Sequence, residues 1–349
     1  MKKGSLIVVG SGIKGVGQIT LETEGWIRQS DIVLYCVSDP ATAFWIEKNS
    51  QEAIDLYTLY ANGKRRIETY NQMVEAMLVP MRQGKSVCGV FYGHPGVFVY
   101  PSHQAIAIAR SEGYKAGMLP GISALDCLFA DLGIDPSRFG CQTFEATDLL
   151  LRKRQISTDG HVIIWQIGCV GDLGFNFAGY DARNLGILTD YLLQSYPPEH
   201  LVTVYEAAQY PVCSPKILKL PLKKLTETKV TGISTLYIPP EQTSNTNQAM
   251  AEKLGLVGSY SAHAQKSANQ KSPFAEYVPP PSESGLAEFM IDLSTNPRLL
   301  AHFRKNPAVA MANHAHLSPE EKKALLSFHS GIIRLGIQQP KKVKKIFKN

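Results

Sequence analysis

The stretch that most restricts the fold is the apolar run Ser86 to Phe91, followed at once by Tyr92-Gly93-His94-Pro95-Gly96-Val97-Phe98. Such a run closed by a glycine-proline turn reads as a buried strand, and the turn at its end sits where open α/β sheets bind ligands. A second apolar run ends at Met118-Leu119. The turn Pro120-Gly121-Ile122-Ser123 follows it, and a helical pattern begins at Ala124. Two strand-end turns of this kind imply one cleft.

The surrounding chain follows the same alternation. Strand patterns at Ser5 to Val9, Ile32 to Cys36, Ser86 to Phe91 and Lys115 to Met118 are separated by helical spacing at Ile19 to Gln29, Ala43 to Lys48, Ile67 to Arg82 and Ser102 to Glu112. This predicts a parallel α/β subdomain over about 1–119. Beyond Gly133, extended runs at Gln142 to Glu145, His161 to Gln166, Leu201 to Glu206 and Gly232 to Ile238, with one helix from Asn184 to Ser195, predict a more mixed subdomain over about 120–240.

From Glu241 to Ser282 the composition shifts to Ser, Asn, Gln, Ala and Pro, the mark of a linker or extended arm. Residues 283–330 return to short helices. Leu286, Phe289, Met290 and Leu293 share one face, and Asn296-Pro297, Asn306-Pro307 and Ser318-Pro319-Glu320-Glu321 each start a further helix. The last is a capping box with proline at the first helical position. Residues 331–349 form a basic tail.

Composition excludes several classes. A chain of 349 residues with 44% hydrophobic content can bury substantial cores. The run Ser5 to Val9 is stopped by Gly10 too early for a signal segment or a membrane span, so a cytoplasmic location is expected, with no membrane contact. Five of the net six positive charges come from Lys341, Lys342, Lys344, Lys345 and Lys348, which leaves no domain-wide basic face for nucleic acid. Six scattered cysteines have no metal or redox spacing and read as buried free thiols. His314-Ala315-His316 has no third ligand nearby, and no metal is expected.

Chemistry gathers upstream of the first turn. Tyr57, Tyr60 and Tyr70 surround Arg66, a set of phenols around one guanidinium that suits proton handling on a weakly acidic substrate. Taken alone, the same tyrosines also fit amphipathic core positions. The glycines from Gly10 to Gly17 lack dinucleotide-binding spacing, and no acid ends the strand Ile32 to Cys36.

With these residues in view, Tyr92-Gly93-His94-Pro95-Gly96 and Pro120-Gly121-Ile122-Ser123 resemble the cofactor turns of the tetrapyrrole methylase-like superfamily. Further blocks narrow the match. Asp55-Leu56-Tyr57, Tyr60, Asn62-Gly63-Lys64, Arg66, Tyr70, Leu128 to Leu132, Ile167 to Gly171 and Ser234-Thr235 to Pro240 resemble the borosin peptide α-N-methyltransferases. The resemblance implies a two-domain α/β fold with a C-terminal clasp (241–282) and a small helical leader-like module (283–330). It further implies an interlocked homodimer and S-adenosylmethionine-dependent methylation of peptide backbone amides, on the chain's own C-terminus or on a separate peptide. Fused members carry a long apolar core peptide, whereas this sequence reads Arg334-Leu335-Gly336-Ile337 and then turns lysine-rich.

A peptide N–H is a very weak acid because its lone pair is delocalised into the carbonyl. Arg66 is the candidate donor to the carbonyl oxygen as negative charge builds there. Tyr60 is favoured to take the proton and Tyr70 to orient it, Tyr57 to line the peptide channel, and Tyr92 to stand between methyl donor and nucleophile. The resemblance assigns the cofactor to Tyr92, His94, Val97, Phe98, Ser123, Ala124, Gln166, Ala207, Ser234 and Thr235. Two alternatives stay open: a tetrapyrrole or small-molecule methyltransferase, and a catalytically idle leader-binding scaffold.

Overall fold

The computed structural model describes residues 4–242, 246–256, 284–312 and 316–338. They fall into two compact units. One is built from residues up to 23 and from 30 to 242, the other from 24–29 and the described residues from 246 onward.

The first unit begins with five strands, β1 (Ser5–Gly10), β2 (Ile32–Cys36), β3 (Ala53–Asp55), β4 (Ser86–Phe91) and β5 (Lys115–Met118), all parallel in the order β3-β2-β4-β1-β5. The crossovers carry α2 (Pro40–Asn49), α3 (Arg66–Arg82) and α4 (Tyr100–Ser111), while α1 (Leu21–Gln29), which follows β1 in the chain, falls mostly in the second unit. Parallel strands covered on both faces must be apolar throughout, which is why Val87, Cys88, Val90 and Phe91 are all buried. Leu6, Val8, Leu34, Met73, Met77 and Leu78 join them in one core. Adjacent strands β1 and β4 send their next connections toward opposite edges, so a crevice opens at their C-terminal ends.

The second half of this unit begins with α5 (Ala124–Leu132), followed by β6 (Cys141–Glu145), α6 (Ala146–Leu151), β7 (His161–Trp165), α7 (Leu185–Leu192), β8 (Leu201–Glu206), β9 (Lys216–Pro221) and β10 (Thr235–Ile238). The sheet order is β6-β7-β10-β8-β9, with β6 and β7 parallel and the other pairs antiparallel. One face packs Val162, Ile164, Val204 and Leu236 against Leu188 and Leu192 of α7. The other packs Ile163, Trp165, Tyr205 and Tyr237 against Leu128 of α5.

Several expectations shift. The strand expected from Gly232 starts at Thr235, because Ser234 N–H closes a turn onto the Thr231 carbonyl. The helix expected over Asn184 to Ser195 is regular only over Leu185–Leu192. Strands β3 and β9 were not expected: one has three residues, and the other exposes Ile217, Leu218 and Lys219, so neither shows a buried pattern. Of the six thiols, Cys88 and Cys169 are buried, Cys36, Cys127 and Cys141 are partly buried, and Cys213 is exposed, which corrects the expectation that all six are buried.

The second unit contains α8 (Gln248–Lys253), α9 (Gly285–Thr295), α10 (Pro297–Lys305), α11 (Pro307–Ala312), α12 (Pro319–Leu326) and α13 (Ser330–Gln338). Asn296 caps α10, and the Ser318–Glu321 capping box opens α12. Leu286, Phe289, Leu293, Phe303 and Leu325 form its core, with Ile332, Leu335 and Ile337 packed against them. Most of the segment 241–282, His314-Ala315 and the lysines from Lys341 lie outside the described residues. Among the described residues, no helix is long and apolar enough to cross a membrane and no cluster of metal-ligating side chains occurs.

Candidate active site

Three chain turns meet at the crevice with backbone alone. Gly93 has φ +71, and its carbonyl lies 2.1 Å from where a Cβ on Gly10 would stand and 2.7 Å from one on Gly121. Gly93 also exchanges backbone hydrogen bonds with Gly12, its N–H donating to the Gly12 carbonyl at 2.9 Å and its carbonyl accepting from Gly12 N–H at 3.3 Å. No side chain fits among these turns, and the floor of the crevice is therefore peptide.

Above this floor lies a cavity of about 290 Å³. Tyr60, Tyr70, Tyr92, His94, Val97, Phe98, Ser123, Ala124, Gln166, Ala207 and Thr235, all expected from the sequence, line it. Three expected residues are not among its walls: Tyr57, Arg66 and Ser234. Ser234 is fully buried, where its hydroxyl bonds to Glu206 and accepts from Thr231 N–H. Ile13, Cys36, Met73, Trp165, Tyr205 and Ile233 also line the cavity and were not singled out.

The backbone holds several of these groups in conformations that need support. Phe98 (φ 57) and Gln166 (φ 60) both occupy the left-handed region, which costs a non-glycine residue of order 1 kcal/mol or more. Phe98 packs against Trp165 with ring centroids 5.8 Å apart. Nδ1 of His94 accepts from Gly96 N–H at 2.9 Å, which fixes the ring within its own turn. Ser123 caps α5 in a reciprocal box with Asp126, so the start of that helix faces the cavity.

On α3, Arg66, Tyr70 and Met73 share one stripe at i, i+4 and i+7, and the last two reach the cavity. Tyr60 and Tyr70 both line the cavity, close enough for each to bear on the other's ionisation. Burial pushes the Tyr60 phenol well above its ordinary range, and the neighbouring Cys36 and Tyr70 add to that shift. Burial raises Tyr70 too, but the charge of Arg66 and the neighbouring Tyr60 oppose it. Burial lifts Tyr92 to about 12, with hydrogen bonds to Ser38 and Gln209 pulling the other way.

A segment from the second half of the unit closes over this group. Gly63 N–H donates to the Phe175 carbonyl, Phe175 N–H to Lys64, and Arg66 N–H to Leu173, while Arg65 and Gly174 form an antiparallel bridge. Phe175 stacks on Tyr60, with Tyr57 and Phe177 set edge-on around them. The Arg66 guanidinium donates to the Asp172 carbonyl. No local pattern marks Phe175 or Phe177, whose placement depends on pairing across about a hundred residues.

Residues 5–225 match the family Tetrapyrrole (Corrin/Porphyrin) Methylases, and residues 259–345 match the borosin biosynthesis clasp domain. The chain belongs to the tetrapyrrole methylase family. It is 40% identical, over 97% of its length, to the methyltransferase and dendrothelin A precursor of Dendrothele bispora, and 41% identical, over 97%, to the omphalotin A precursor of Omphalotus olearius. It covers 88% of each of those proteins. It is also 40% identical, over 99% of its length, to a type III borosin precursor of Anomoporia bombycina, of which it spans only 44%. Like these relatives, it is a methyltransferase of the borosin kind.

A methyl-donating cofactor fits what the cavity offers. Gly93 and Gly232 bring bare backbone to its lining, most of the other lining groups are apolar, and Ser123, Gln166 and Thr235 supply polar groups.

Proposed function

We propose that this chain methylates backbone amide nitrogens of a ribosomally made peptide, with S-adenosylmethionine as methyl donor. The observation that carries the reading is the Tyr60–Tyr70 pair on the cavity wall beside Arg66, at the rim of a site floored by backbone. A tetrapyrrole acceptor would call for acidic or basic groups on the walls, and no Asp, Glu, Lys or Arg is among the residues lining this cavity.

Tyr92, His94, Val97, Phe98, Ser123, Ala124, Gln166, Ala207 and Thr235, with Ser234 behind them, would hold the cofactor, which would supply an electrophilic methyl on a sulfonium. Arg66 donates to the acceptor carbonyl, which gathers negative charge as the amide proton leaves. A phenolate takes that proton and is itself neutralised, which leaves the amide nitrogen nucleophilic. The surroundings favour Tyr70 as this phenolate, steadied by Arg66 and by Tyr60, the reverse of the order expected from sequence. Tyr57 and Tyr92 hold the peptide and the methyl donor in line.

The acceptor is a segment of the same polypeptide beyond Gln338 or a separate peptide. Ile332 and Ile333 N–H groups both donate to the His329 carbonyl within the helical unit, so the amides of α13 are already committed. The resemblance to the borosin enzymes supports a homodimer joined through the clasp.

Intact-mass and tandem mass spectrometry after incubation with S-adenosylmethionine tests the reading. Steps of about 14 Da on backbone nitrogen, on this chain or on an apolar peptide appended after it, are expected. Their absence from both, in a preparation that binds the cofactor, would overturn it in favour of the idle scaffold.

A further inference from the structure

Arg66 opens α3 in the first half of its unit, yet the groups that hold its guanidinium come from the second half. The Asp172 carbonyl accepts from Nη2, and the ring of Tyr180 faces Cζ with 5.9 Å to its centroid. Tyr180 is itself fixed. A Cβ on Gly232 would stand 3.1 and 3.2 Å from Cε2 and Cδ2 of the ring, and the Tyr180 hydroxyl donates to the Gly174 carbonyl at 3.4 Å. Gly174 in turn is bridged to Arg65, the residue before Arg66. The path from Tyr180 back to the arginine is closed at both ends.

An aromatic face does something a carboxylate in the same place could not. A carboxylate would take two N–H groups of the guanidinium edge-on and neutralise its charge. A ring attracts the cation through its face and leaves the in-plane N–H donors available. A group that must donate to an acceptor carbonyl, and that must keep its charge beside Tyr70, needs the second kind of support.

We infer that Tyr180 is a positioning residue, a neutral aromatic platform that sets the plane of the Arg66 guanidinium while leaving the donors not taken by the Asp172 carbonyl for the acceptor. This rests on the role proposed for Arg66. Tyr180 contacts neither cofactor nor acceptor in this role and acts through the arginine.

The experiment compares the full chain with Tyr180→Phe, Tyr180→Leu and Gly232→Ala. It follows kcat for methyl transfer against pH, affinity for S-adenosylhomocysteine, and the arginine Nε signals in 15N spectra, with Arg66 assigned through Arg66→Lys. Tyr180→Phe keeps the face and should keep the wild-type pH profile. Tyr180→Leu should lower kcat about tenfold or more. It should also move the rising limb of the profile to higher pH and remove the ring-current displacement of the Arg66 signal, with homocysteine-product affinity unchanged. Gly232→Ala, which must push the ring aside by a few tenths of an ångström, should move the limb in the same direction, and it decides the matter if the leucine variant does not fold. A wild-type profile in both, or equal damage from Phe and Leu, would overturn the inference. Wild-type chain that methylates nothing would instead count against the proposed function, while the Arg66 signal would still report on the platform.

Discussion

Phe175 lies flat against Tyr60, their ring centroids 4.2 Å apart and their planes 28° from parallel. The two residues belong to different halves of the catalytic unit, and their stacking fixes a phenol that burial alone would leave free to rotate. Such a stack contributes about 0.5–1.5 kcal/mol beyond area burial. Phe175→Ala should lower stability by at least that amount in urea titrations. It should reduce kcat more than it changes the KM for the methyl donor, because the damage falls on the phenol pair.

Replacing the proton-handling groups should separate chemistry from binding. Tyr70→Phe and Arg66→Gln are each expected to slow methyl transfer about 10²–10⁴-fold, with donor affinity by calorimetry little altered. The active form is the deprotonated phenol, so wild-type kcat should rise with pH. Arg66→Gln removes the charge that opposes the burial-driven rise at Tyr70, and the limb should shift to higher pH. An acid-side optimum would contradict this assignment.

Gly121 is constrained by space, since a Cβ there would stand 2.7 Å from the Gly93 carbonyl and 2.9 Å from the Gly10 Cα. Backbone cannot swing away as a side-chain tip can. Gly121→Ala should cost about 1–3 kcal/mol of stability and weaken donor binding. Gly133→Ala offers a contrast: it meets nothing within 4 Å, and its cost arises only from the positive φ of 66°.

Glu206 ties the ends of β8 and β10 together, accepting from Ser234, from Thr231 at 3.0 Å and from Lys216 at 3.1 Å. Burial would raise its carboxyl pKa, but these donors hold it below the ordinary value. The stability it adds is therefore complete above the usual carboxylate range and is lost as pH falls through its lowered value. Glu206→Gln should cost about 1–3 kcal/mol at neutral pH, and the gap to wild type should close as the solution is acidified. A gap that widens on acidification would show the carboxyl to be raised.

In tandem mass spectra of chain incubated with S-adenosylmethionine, the amides of residues 332–337 should carry no added methyl. Ile332, Leu335 and Ile337 pack on the helical core, and methylation would remove their helical N–H donors. A double substitution Ile332→Asp/Leu335→Asp that releases α13 is the condition under which modification there becomes possible. Methylated Ile332 or Ile333 in the intact protein would refute the packing argument.

The sequence was most legible where one local pattern decides an element. β2, β4 and β5 begin and end at the expected residues because apolar runs bounded by turns have few alternatives. The Ser318 capping box is legible for the same reason, since its partner is three residues away. Local pattern could not reveal β9, whose outer residues face solvent, or the bridge from Arg65 to Gly174. The tyrosines around Arg66 were visible as a cluster. Their surroundings were not, because Asp172, Phe175 and Tyr180 reach them only through the folded chain.

A floor made of three glycine backbones leaves the enzyme few ways to be retuned from below. Any substitution at Gly10 or Gly121 collides with peptide before it can touch a ligand, so a change of acceptor has to be written in the removable side chains above. Retargeting such a catalyst is then a question of redecorating the side chains around the site, such as Tyr57, Phe175 and Phe177, while the base of the room stays fixed.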